Sequence, residues 1–203
     1  EDEPMSIKHY FDRYVADLSR ITAGFVATDE TGRVIPQEDA LAQIQTQMKF
    51  AHARDGKLVM LGNGGSNGML SHLSFDYTKN GGMRSMAVTD ASFLTGGSND
   101  LGYENLFAQW LTWHGKSQDM AICVSSSGKS QNILNAAKRA KEMGMFTLTM
   151  SAFGADNPLR RLGTVNIWLD TGTKMYGYAE NGHQIILHAI LEHSIFGYHE
   201  NKV

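Results

Sequence analysis

The sequence predicts a single doubly wound α/β domain, and three observations predict it. The chain has 203 residues, enough for one domain with a sizeable core and short for two. Five short apolar runs, KLVMLG (57–62), RSMAVTD (84–90), DMAICVSSS (119–127), FTLTMSA (146–152) and VNIWLD (165–170), alternate with helix-like stretches. Continuous apolar strands separated by helices argue for a parallel sheet covered on both faces. Only three prolines occur, none in a proposed strand, so each run is free to pair on both sides.

The elements follow in order. From Met5 to about Phe25, Ile7, Tyr10, Phe11, Tyr14, Val15, Leu18 and Ile21 recur three and four apart and form one helix face. TDETGRVIP reads as a turn. Leu41, Ile44, Met48 and Ala51 mark a second helix, entered at Pro36 with Glu38 and Asp39 just after it. Two helices before any strand read as an N-terminal helical hairpin over residues 1–55, part of the same domain and suited to subunit contacts. Residues 56–203 carry the sheet. Its helices are predicted at about 67–80, 103–114, 130–143, 157–162 and 181–197.

Composition removes several classes. A formal net charge of −3 offers no electrostatic footprint for nucleic acid. No apolar stretch reaches the roughly 18 residues that suggest a membrane span. Cys123 is the single cysteine, so no internal disulfide forms, and the acidic start EDEPMSIKHY lacks the regions of a signal peptide. A cytoplasmic protein is expected.

Ligands of open parallel sheets bind beyond the carboxyl ends of the strands, and two polar turns fall there. Gly62-Asn63-Gly64-Gly65-Ser66 follows the first run; its glycines allow close backbone approach, and its N–H groups open a helix. Ser125-Ser126-Ser127-Gly128-Lys129-Ser130 follows the third run, placing four hydroxyls at a helix N-terminus. Neither matches a dinucleotide fingerprint or a P-loop. Each alone reads as readily as mere turn geometry as it does as a ligand cradle, and the serine cluster reads also as a helix cap with spare hydroxyls. The pair together points to a phosphorylated small molecule. On the helix after the first turn, His72 and Asp76 are four apart and share a face. That spacing suits an ordinary helix pair, or a divalent metal, or a base with its orienting partner.

GNGGS, then VTDASFLTGGSND (88–100), then SSSGKS together resemble the sugar isomerase (SIS) domain family, and within it the phosphoheptose (sedoheptulose 7-phosphate) isomerases. The resemblance covers nearly the whole chain. It implies a five-stranded parallel sheet flanked by helices and a homotetramer with sites near subunit interfaces. Asn63, Gly64, Gly65, Ser66, Asn99, Asp100 and Glu180 would lie at the sugar phosphate, and Ser125, Ser126, Ser127 and Ser130 would hold its phosphate. Lys129 replaces a residue that is usually small or polar. His72 and Asp76 stand where the family has a zinc-binding histidine and a metal-binding glutamate that acts as base. In AENGHQIILH (179–188), Glu180 and His188 stand at a metal-binding glutamine and histidine.

The implied zinc set is therefore His72, Asp76, Glu180 and His188. Eight residues of straight helix span about 12 Å, so Glu180 would have to lie on the turn entering the helix and bend back. The implied reaction is aldose–ketose isomerisation, with Asp76 moving the carbon-bound proton and His188 assisting at oxygen. The alternative is a non-catalytic relative, either a tetrameric factor that binds the replication initiator or a sugar-phosphate sensor. His183 reads as a neighbouring polar contact, and His193 and His199 as surface residues.

Overall fold

The structure is a computed structural model that describes residues 6–172 and 174–196. Met5 and Gly197, the outer ends of the first and last predicted helices, and His199 lie outside the described residues. In chain order the elements are α1 (Ile7–Ala23), β1 (Val26–Asp29), β2 (Val34–Ile35), α2 (Gln37–Ala53), β3 (Leu58–Leu61), α3 (Gly64–Lys79), β4 (Ser85–Ala87), α4 (Ala91–Leu101), α5 (Leu106–His114), β5 (Met120–Ser125), α6 (Gln131–Glu142), β6 (Phe146–Ser151), β7 (Val165–Trp168) and α7 (Tyr176–Phe196). The strands form one sheet in the order β2-β1-β7-β6-β5-β3-β4.

All five predicted runs are there as β3 to β7, and these five are parallel to one another. Two strands were not foreseen. β1 and β2 lie in and just before the stretch read as a turn; they pair with each other, and β1 pairs antiparallel with β7. The sheet has seven strands, so the five-stranded parallel core carries an antiparallel extension at one edge. The two N-terminal helices are thus joined by a β-hairpin and pack apart: α1 lies on α7, and α2 lies against β1, β5 and α7. Residues 157–162 make a short 3₁₀ turn (Pro158–Arg161) rather than an α-helix. α7 begins at Tyr176, five residues before the prediction.

Alternation along the strands divides the core between the two faces of the sheet. Leu58, Met60, Met120, Ile122 and Val124 join α1, α2, α3 and α7 in one cluster. Val59, Leu61, Ala121 and Cys123 join α5 and α6 in the other. Every residue of β3 and β5 is buried, which is why these strands read as unbroken apolar runs. Successive strands leave β3 in opposite directions, β4 to one side and β5 to the other. The crevice of the sheet therefore opens above the tips of β3 and β5.

Candidate active site

Both polar turns rise from those two tips. Asn63, Gly64, Gly65 and Ser66 line one cavity of about 260 Å³ with Val124, Ser125, Ser126, Ser127, Ser130, Tyr176 and Glu180. Sequence reasoning brought all but Val124 and Tyr176 to the site. Tyr176, set edge-on to Phe153, stands at the start of α7 and carried no motif that could have identified it.

The caps of the two helices distinguish these turns from ordinary capped helix starts. Asn63 is the N-cap residue of α3, and Ser130 that of α6; both residue types cap well. Neither side chain bonds to its helix. Elsewhere such residues do cap: Ser6 takes the His9 N–H of α1, and Asp90 the Phe93 N–H of α4. At the cavity the cap side chains are spent otherwise. Asn63 pairs with Asn132, and Ser130 Oγ accepts from Ser125 Oγ at 3.1 Å. Two helix N-termini thus open at one cavity without a cap from their own N-cap side chains, an arrangement that suits an anion.

The hydroxyls add to this. Ser125 Oγ stands 3.5 Å from Ser127 Oγ, and Ser126 Oγ is buried with no partner among the described residues. An unpaired buried hydroxyl costs stability unless a ligand or water meets it. Gly128 turns the serine loop at φ 62° and leaves room for Asn157, whose amide a β-carbon there would overlap. Lys129 is exposed and does not line the cavity; its N–H donates to Ser127 Oγ at 3.2 Å.

Gly65 fills a second tight place. A β-carbon on it would collide with the Glu180 carboxylate, so glycine here is what lets Glu180 reach the cavity. A carboxylate repels phosphate, so within one cavity Glu180 suits sugar hydroxyls and the serine end suits the phosphate. Asn99 and Asp100 do not line this cavity. They stand at the exposed end of α4 and bond to each other, Asn99 Nδ2 donating to Asp100 Oδ1 at 2.9 Å.

A separate cluster lies farther along α3 and α7. His72, Asp76 and His188 each offer a ligand atom within 4.8 Å of the other two. His72 Nε2 is 3.1 Å from Asp76 Oδ2, and the two imidazole centroids are 5.6 Å apart. The clasp of Tyr77 on the Leu187 carbonyl, 2.8 Å, holds the two helices in this register. Glu180 does not join the cluster. Because α7 starts at Tyr176, Glu180 is inside the helix rather than on an entry turn. Its Cα is about 12 Å of helical rise from that of His188, and its carboxylate points into the serine cavity.

The two nitrogens and one carboxylate fit the donor preference of zinc, and a three-ligand site leaves a coordination position for substrate. His183, one turn after Glu180, is fully buried. Its Nε2 donates to the Ser151 carbonyl at 3.0 Å.

Comparison with known proteins shows the family and the fold. A family model of the SIS domain matches residues 27–152. The phosphoheptose isomerases of Burkholderia pseudomallei and Burkholderia mallei are each 32% identical over 197 residues, spanning 93% of this chain and 95% of theirs. Among solved structures, a phosphoheptose isomerase from Neisseria gonorrhoeae superposes with a TM-score of 0.75 at 23% identity, covering 92% of this chain and 98% of its own. One from Francisella tularensis gives 0.76 at 20% identity, covering 94% and 98%. At such identities these two establish the fold.

Proposed function

This chain belongs to the SIS domain family, and from that premise we propose that it is an aldose–ketose isomerase converting D-sedoheptulose 7-phosphate to D-glycero-D-manno-heptose 7-phosphate, an early step in bacterial surface-heptose synthesis. The observation that carries the reading is the way α3 joins two chemistries. Its first turn lines the anion cavity, and six residues past Ser66, about 9 Å of rise, His72 opens the imidazole–carboxylate cluster. That separation suits a sugar phosphate held by its tail with its reactive carbons at the cluster.

Isomerisation moves a proton between adjacent carbons through an enediol and needs a base at carbon, an acid at oxygen and stabilisation of the developing oxyanion. Asp76 takes the carbon-bound proton. His188, facing it across α3 and α7, serves the proton at oxygen. The serine turn and the two helix N-termini hold the phosphate, whose remote binding energy orients the reacting end. Glu180 receives sugar hydroxyls.

His72, Asp76 and His188 would hold a zinc ion, which when bound polarises the substrate carbonyl as a Lewis acid. The same reading makes the protein a cytoplasmic homotetramer. Among the described residues no helix is long and apolar enough to cross a membrane, and Cys123 is free and buried.

The test is turnover of sedoheptulose 7-phosphate by the pure protein, with zinc removed and restored. Activity falls on chelation and returns with the metal, and Asp76→Asn lowers kcat by about a hundredfold or more. Retention of most turnover by Asp76→Asn with metal still bound overturns the base assignment. Failure of every divalent metal to give turnover overturns the enzyme reading.

A further inference from the structure

Asn63 meets two residues that do not line the cavity. Asn63 Nδ2 donates to Asn132 Oδ1 at 3.0 Å, and Asn132 Nδ2 donates to Asn63 Oδ1 at 2.9 Å. The Tyr103 hydroxyl donates to the same Asn63 Oδ1 at 2.7 Å. A reciprocal amide pair is indifferent to turning both amides over together, since each would still give and take one bond. A backbone group removes that indifference here. The Ile133 N–H is shared between the Ser130 carbonyl and Asn132 Oδ1, each at 3.0 Å; an N–H can only donate and would repel an amide nitrogen at that distance, so the Asn132 atom it meets is the oxygen. Asn132 therefore presents its nitrogen to Asn63, the Asn63 atom it meets is the oxygen, and Tyr103 must donate to it.

Both lone pairs of Asn63 Oδ1 are taken, one by Asn132 and one by Tyr103. One of its two amide hydrogens goes to Asn132, and the other has no partner among the described residues. A free carboxamide can give or accept; this one can only give, and only once.

We propose that Asn132 and Tyr103 are positioning residues that hold the Asn63 amide as a single N–H donor toward the cavity, where it takes an acceptor oxygen of the sugar portion of the substrate. Asn132, 2% exposed, belongs to the helix that the serine turn begins, so the pair also fixes the first turn against the second. The proposal rests on the sugar-phosphate reading for its ligand and on hydrogen-bond counting for its orientation.

Two probes on the full chain separate these. Inorganic phosphate needs only the serine turn and the helix N-termini. A sugar-phosphate hydroxamate adds a charged oxygen where an enediolate would carry one. Asn132→Asp keeps the acceptor for the Ile133 N–H but removes the donor to Asn63. By calorimetry it weakens the hydroxamate about tenfold more than it weakens phosphate. Tyr103→Phe changes no charge and alters a side chain that is 47% exposed, so the fold tolerates it; it weakens the hydroxamate about threefold and leaves phosphate unchanged.

Equal loss for both probes, or loss for neither, overturns the proposal. Hydrogen exchange in the ligand-free protein reads the orientation by itself. One Asn63 side-chain hydrogen exchanges slowly and the other fast, and Tyr103→Phe speeds the slow one; two equally fast hydrogens overturn the assignment. A wild-type protein with the unequal pair that binds neither probe upholds the orientation and overturns the sugar-phosphate reading.

Discussion

His183 carries its proton on Nε2, because the Ser151 carbonyl it faces can only accept. Its Nδ1 then has no partner among the described residues, and charging the ring would create a buried donor with nothing to meet. Burial drives its pKa down to about 4 from 6.5, against a smaller upward pull from the Ser151 bond. The folded chain therefore resists a proton that the unfolded chain accepts. The resulting stability is whole above pH 6.5 and is lost as the pH falls toward 4, amounting to about 3 kcal/mol. Thermal unfolding between pH 7 and pH 4 measures it. His183→Gln, which can keep a donor to Ser151, flattens that part of the profile, and an unchanged slope contradicts the assignment.

At the scale of elements, the serine loop and the glycine turn bend by different means. Gly64 has φ 52° with open space where a β-carbon would go, whereas Gly128 has φ 62° and faces Asn157. Asn157 is 1% exposed and ties Ser151 Oγ, Ala152 O and Gly154 O together. Gly64→Ala bears only the conformational cost of a left-handed residue, roughly 1–2 kcal/mol. Gly128→Ala also displaces the buried amide and costs about 3 kcal/mol or more. Thermal unfolding of the two variants side by side should place Gly128→Ala several degrees lower, and equal midpoints contradict the contact.

α4 and β1 show why some elements escaped the sequence. ASFLTGGSNDL holds two interior glycines, and Asp90 starts its helix; intrinsic propensity there opposes the helix that packing builds. β1 and β2 have four and two residues, too few for a period to register, and TDETGRVIP carries turn signals across them.

For the molecule as a whole, the described chain leaves apolar groups uncovered. Ile7 is 81%, Phe11 58% and Val15 48% exposed on α1. Phe75 and Ile185, each three residues from a member of the cluster (His72 or His188), are also exposed, and the His72 side chain is 54% exposed. Helix faces of this kind call for a partner. Light scattering on the pure protein should give four times the 22.4 kDa chain mass. Phe11→Glu with Val15→Glu should give a smaller species with its helical content intact. A wild-type monomer at micromolar concentration contradicts the tetramer.

What the sequence determined alone were the properties set by near neighbours in the chain. Central strands such as β3 and β5, buried on both faces, must read as apolar runs, His72 and Asp76 must share a helix face at four-residue spacing, and the glycine and serine turns must open helices. What only the tertiary structure decided were the meetings across long separations. Asn63 and Asn132 are 69 residues apart, and no local pattern announces that they pair rather than cap. Glu180 could be read as a ligand beside His188 until the start of α7 at Tyr176 set the helix under it. Helix rise then puts its carboxylate in the serine cavity and leaves His72, Asp76 and His188 as the cluster. Hydrogen-bond partners and ligand sets depend on where a backbone begins to coil and which strands lie side by side, and packing fixes both.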